Sequence, residues 1–128
     1  MDRVRVPTTA PWAATVGYSR AVRVGSHVYV AGTAPVGPDG EIVGPGDPYR
    51  QAQRCLEIIV GALIEVGASP DDVVRTRMFV RHPEDWEAVG RAHGEIFSKI
   101  KPATTMVFTG FVHPDMLCEI EADAVVPG

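Results

Sequence analysis

The segment CEIEADA, Cys118 to Ala124, alternates apolar and acidic residues at every step. In an extended strand successive side chains point to opposite faces, so Cys118, Ile120 and Ala122 share one face while Glu119, Glu121 and Asp123 share the other. The first face suits burial beneath helices. The second aligns three carboxylates, which repel one another and require solvent, matching cations or an interface. This strand therefore has one face to be covered and one to be used otherwise, and the rest of the chain must supply the cover.

Two stretches carry helical periodicity. From Ala52, the residues Cys55, Leu56, Ile59, Val60, Leu63 and Ile64 recur at three and four. They follow Asp47-Pro48, an N-cap residue with proline in the first helical position, and precede Gly67, placed as the C-terminal cap. Pro83 and the acids Glu84, Asp85 and Glu87 announce a second helix. Its stripe is Trp86, Val89, His93, Phe97 and Ile100, with Lys99 and Lys101 at the negative end of its dipole.

Strands fill the remainder. After a polar, proline-broken start, SRAVRVG and SHVYVAG flank Gly25-Ser26 as a hairpin. DDVVRTRMFVRH is a third strand, predicted to carry Val74, Thr76, Met78 and Val80 on one face and Val73, Arg75, Arg77 and Phe79 on the other. ATTMVFTGF and MLCEIEADAVV are the last two. The predicted order is β-β-α-β-α-β-β, a single α+β domain over residues 1–128. Two helices cover one face of such a sheet. The acidic face, beside which Arg75 and Arg77 project, stays bare, and a homo-oligomer built through the sheet is expected.

Composition narrows the function. A chain of 128 residues, 45% hydrophobic and 22% charged, suits one globular domain. Its apolar runs fall short of the roughly 20 residues that span a bilayer, and its start lacks a signal-peptide core. Cys55 and Cys118 make no disulfide framework, so a cytoplasmic protein is expected. A net charge of −4 with scattered arginines offers no groove for nucleic acid. His27, His82, His93 and His113 have no metal-ligand spacing, and neither a metal nor a cofactor is expected. Cys118 reads as a small buried hydrophobe, and GPDG and GPGDP lack the lysine and the serine or threonine of a phosphate loop.

The ordered set GYSRAVRVG, VAGT, GDPYRQAQRCLEIIVGAL, VVRTRMFV, KPATT and CEIEADA resembles the Rid family, also called YjgF-like, reactive-intermediate deaminase or endoribonuclease L-PSP, over nearly the whole chain. The resemblance implies a chorismate-mutase-like fold and a homotrimer whose sheets meet around a central axis, with clefts between subunits. In the family's imine and enamine deaminases a Pro-Ala-Arg segment precedes the last hairpin, and its arginine grips the substrate carboxylate. The matching residue here is Thr104, which brings one hydroxyl and no charge. A substrate other than an amino-acid-derived imine, or a carboxylate gripped elsewhere, is therefore expected.

The family's water-orienting glutamate matches Glu119, and its cleft tyrosine matches Tyr18. A ligand-binding strand glycine matches Gly32, and a pocket aromatic matches Trp86; an asparagine one turn later is replaced by Gly90. The resemblance thus implies a small-molecule hydrolase acting on an enamine or imine, with Glu119 as catalytic residue and Tyr18, Gly32, Trp86, Thr104 and Thr105 around the ligand. Two bland readings stand beside it: Glu119 as an interface carboxylate paired with an arginine, and Thr104 and Thr105 as ordinary β-branched strand residues. The alternative function is a non-catalytic trimer that binds a metabolite or protein. The ribonuclease activity ascribed to some relatives is disfavoured by the acidic charge. Arg20, Arg75 and Arg77 are candidate replacement cations.

Overall fold

The computed structural model describes residues 2–127. The elements are β1 (Arg3–Val6), α1 (Ala13–Val16), β2 (Ala21–Val24), β3 (His27–Thr33), α2 (Pro48–Glu65), β4 (Val73–Val80), α3 (Trp86–Phe97), β5 (Ala103–Phe108) and β6 (Cys118–Val125). One sheet runs in the order β1-β2-β3-β6-β4-β5. The mixed α+β class agrees with the sequence reading, but β1 and α1 were not expected. Val4 and Val6 alternate with Arg3 and Arg5, and the open edge of β2 is enough to order this short segment as a paired strand.

The last two strands in sequence are not neighbours. CEIEADA lies at the centre of the sheet, antiparallel to both β3 and β4. β5 lies at the edge, parallel to β4, a pairing that requires the intervening helical crossover through α3. α2 packs on β3 and β6, and α3 packs on α2. Cys118, Ile120, Ala122 and Ala124 are buried beneath the helices. The opposite face is left open by α2 and α3, with the short α1 bordering a groove on it, and there Tyr29 is 50% exposed.

α2 begins and ends as its sequence requires. The Asp47 carboxylate accepts from the Arg50 backbone N–H at 3.0 Å, and Pro48 occupies the first turn. Gly67, at φ 81°, allows Ala68 N–H to reach the Leu63 carbonyl and Gly67 N–H to reach that of Ile64. Its buried face is Gln51, Ala52, Cys55, Leu56, Ile59, Ala62 and Leu63. Ile64, expected in the core, is 62% exposed. At about 100° per residue it lies roughly a quarter of a turn beyond Leu56 and Leu63, past the edge of the buried arc.

Two further expectations change. Trp86 is 54% exposed, and α3 stops at Phe97, which leaves Ile100 outside the helix and only partly buried. On β4, Val73 is buried and Val74 exposed, the reverse of strict alternation. The register explains this: Val73 faces Ala124 while Arg75 faces Asp123, so β4 carries one extra residue in a bulge that turns Val74 outward.

Gln51 is a fully buried polar side chain within α2. Its amide donates to the Gly44 carbonyl at 3.2 Å and the Asp115 carbonyl at 2.9 Å, and its Oε1 accepts from Leu117 N–H at 2.8 Å. It ties the loops before α2 and β6 to the helix. Gln51→Leu leaves those backbone groups without partners, and we expect a loss of about 2–4 kcal/mol in urea unfolding at an unchanged m-value.

Candidate functional site

Glu119 is the second residue of β6 and lies on the uncovered face, in register with Phe79 of β4. On its other side β3 bulges. Val30 pairs with Ala122 and Thr33 with Ile120, so β3 advances three residues where β6 advances two. Gly32 sits in that bulge, and a Cβ built on it would overlap Oε1 of Glu119. The carboxylate therefore rests on bare backbone, and no residue with a side chain fits beneath it as it stands. Burial raises the Glu119 pKa above its ordinary value of 4.5; Arg20 opposes the shift and Glu121 adds to it.

Arg20 precedes β2 and approaches the same glycine. Its Nη2 donates to the Gly32 carbonyl at 2.6 Å, and its Nε is buried with no partner among the described residues. The guanidinium lies 5.8 Å from the centroid of the Tyr18 ring. Burial lowers the Arg20 pKa, against the opposing pull of Tyr18 and Glu119. Gly17, at φ 84°, ends α1 and turns the chain toward Tyr18. Tyr18 also borders an open groove of about 670 Å³, lined further by Arg5, Val22, Tyr29, Glu121 and Asp123.

The acidic row is thus divided. Arg77 reaches Glu121 at 3.1 Å and Asp123 at 3.5 Å. The other ion pairs of the described residues join Arg50 and Arg54 to Glu57, so Glu119 is left without a direct ion pair. Arg75 is in register with Asp123, four residues along β6 from Glu119.

Thr104 lies elsewhere. Its Oγ1 donates to the Pro102 carbonyl at 3.1 Å and meets Thr76 Oγ1 at 2.8 Å, and Thr76 Oγ1 meets His93 Nε2 at 2.8 Å. The direction of donation assigns the chain. Thr104 gives its proton to Pro102, so it accepts from Thr76, which accepts from a neutral His93 protonated at Nε2. Thr104 is therefore on the helix side of the sheet. It pairs with Thr76, three residues before Phe79 and two strands from β6, so roughly 10 Å along the strands and roughly 10 Å across them separate it from Glu119. One protomer does not unite the two. Thr105 is on the uncovered face beside Arg77, and Trp86 opens α3 beyond the end of β4 that meets Cys118.

The structure therefore gathers Glu119, Gly32, Arg20 and Tyr18, and keeps Thr104, Thr105 and Trp86 apart from them. The special position of Arg20 has no one-dimensional signal, because it depends on a bulge in β3, the strand that lies between Arg20 and CEIEADA. Among the described residues no group of three His, Cys, Asp or Glu side chains is placed to hold a metal ion. No helix of the described residues is long and apolar enough to cross a membrane.

The profile of the endoribonuclease L-PSP family matches residues 8–126. SCO2049 of Streptomyces coelicolor is 40% identical over 121 residues, covering 94% of this chain and 90% of its own. The 3-aminoacrylate deaminase RutC of Acinetobacter baylyi is 34% identical over 109 residues, covering 85% of this chain and 86% of its own. The crystal structure of Rv2704 from Mycobacterium tuberculosis, a member of the YjgF/YER057c/UK114 family, has a TM-score of 0.87 at 41% identity, covering 98% of this chain and 100% of that one. Fold and sequence together define a small α+β protein of the YjgF class. The chain belongs to the endoribonuclease L-PSP family, also known as YjgF or Rid.

Two outcomes follow from this geometry. Gly32→Ala meets the flexible end of the Glu119 side chain and pushes its carboxylate aside, so it is expected to cost no more than about 1 kcal/mol in urea unfolding; in a Glu119→Ala background that cost should vanish, as a double-mutant cycle would show. His93 is buried, and burial holds its pKa below the ordinary 6.5. The unfolded chain therefore binds the extra proton, so the stability is intact above pH 6.5 and falls below it, by at most about 1.4 kcal/mol per pH unit. Between pH 7.5 and 5, wild type should lose more stability than His93→Gln.

Proposed function

We propose that the chain is a small-molecule hydrolase of the Rid class that acts on an imine or enamine. The observation that carries this reading is Glu119, held on the bare backbone of Gly32, partly desolvated and without a direct ion pair. A carboxylate whose pKa is raised is a better base once ionised, and its burial limits competing water. Glu119 takes a proton from a water whose oxygen adds to the C=N carbon, and the nitrogen gains a proton. The carbinolamine then collapses to a carbonyl and releases ammonia. An enamine enters the same route after protonation on carbon to its imine. The relative named as a 3-aminoacrylate deaminase supports the reaction class, since an aminoacrylate is an enamine.

The reading includes a chorismate-mutase-like homotrimer, with sheets facing a common axis and small-molecule clefts between subunits, in the cytoplasm. The uncovered sheet face supports such an assembly, as does the separation of Thr104 from Glu119 within one protomer. In this reading Tyr18 and Gly32 orient the substrate beside Glu119, while Thr104, Thr105 and Trp86 reach a cleft only through a neighbouring subunit. Thr104 brings no charge there, and its hydroxyl is already engaged with Pro102 and Thr76. The acidic groups of the uncovered face argue against RNA as substrate.

The test is imine hydrolysis. Imines generated by an amino-acid oxidase should decay faster with wild type, and Glu119→Gln should remove about 10²–10⁴ of that acceleration while light scattering shows an unchanged assembly. If wild type leaves the decay unchanged, a non-catalytic ligand-binding trimer becomes the better reading.

A further inference from the structure

Several of the chain's arginines have clear structural employment. Arg50, Arg54 and Arg77 pair with carboxylates. Arg23 donates to the Val66 carbonyl, and Arg81 donates to those of Met116 and His113. Arg91 lies over the Tyr49 ring at 4.4 Å. Arg20 differs from all of these. It is held to the backbone of the residue on which Glu119 rests, yet makes no ion pair within 4.0 Å with that carboxylate among the described residues. Of its three nitrogens, Nη2 is taken by the Gly32 carbonyl and Nε is shut from solvent without a partner. Nη1 is the donor left for a ligand.

Building on the hydrolase reading, we infer that Arg20 is the residue that recognises an anionic substrate, holding a carboxylate oxygen at Nη1 beside Glu119 of the same protomer and so supplying the cation that Thr104 lacks. The geometry favours this over Arg75 and Arg77. Arg77 already neutralises Glu121 and Asp123, and Arg75 is four residues along β6 from Glu119. A guanidinium with one nitrogen fixed on backbone is preorganised, so ordering it for a ligand requires little further side-chain entropy. Because Arg20 and Glu119 both contact Gly32, the anionic oxygen and the carbon attacked by water lie close together in the ligand. The contact is one-pronged, which makes charge, more than fork geometry, the basis of selection.

Binding tests this without turnover. The probes are 2-oxobutanoate and its neutral analogue 2-oxobutanamide, titrated by NMR into the full-length protein. Wild type should bind the acid at least about tenfold more tightly than the amide, and the Arg20 side-chain N–H resonances should move with the acid only. Arg20→Gln should erase the preference by weakening acid binding far more than amide binding; Arg20→Lys should keep part of it; Glu119→Gln should keep it. Equal acid binding by wild type and Arg20→Gln overturns the inference. So does a wild type with no preference for the acid, a result that needs no variant to fold. If imine decay is not accelerated but the Arg20-dependent preference is present, the hydrolase reading fails and the anion site stands.

Discussion

The missing side chain at residue 32 is the constraint on which the site depends. A bulge in β3 brings the Gly32 backbone up to the uncovered face, where the Glu119 carboxylate takes the space a Cβ would fill. From the other side the same residue's carbonyl holds the Arg20 guanidinium at 2.6 Å. A charged pair placed in direct contact would neutralise itself. Spacing the two groups across one residue of backbone lets Arg20 temper the desolvation of Glu119 without quenching it. The bulge does this at little cost, because it shifts the register by one residue and leaves the ladder on either side intact.

Around this point polar side chains tie elements and loops together. Gln51 holds backbone groups at residues 44, 115 and 117, and Arg81 holds the carbonyls of Met116 and His113. These ties fix the loop that delivers Cys118 and Glu119 into the sheet. The chain His93, Thr76, Thr104 and Pro102 performs a similar service on the helix side, joining α3 to β4 and β5. Gln51, Thr76 and His93 are buried and each has a partner, since leaving a buried donor or acceptor alone costs more than the bond itself contributes.

The uncovered face is polar by design of its pairs. Arg77 sits between Glu121 and Asp123 and relieves the repulsion of the acidic row, so Glu119 is the acid left to other uses. Tyr29 and Val107 add apolar area to the same face. A face of this mixed character, neither a core nor a fully solvated surface, is what a proposed subunit interface with inter-subunit clefts would need.

Much of this was legible from local pattern. The alternation of CEIEADA assigned faces correctly because hydrophobic period and strand geometry agree, and Asp47-Pro48 with Gly67 bounded α2 because caps are local chemistry. Val74, Ile64 and Trp86 were misplaced because a bulge and the finite width of a buried helical arc are set by neighbours in space. β1 was missed because four alternating residues become a strand only when an open edge is available. By itself, the sequence determined the α+β class, the covered and uncovered faces of the last strand and the family resemblance, all of which rest on periodicity and short-range chemistry. Only the tertiary structure decided that Thr104 belongs to a helix-side hydrogen-bond chain and that Arg20, among the candidate arginines, meets Gly32 beneath Glu119. Those facts depend on register between strands far apart in sequence, and register is settled by packing the whole sheet at once.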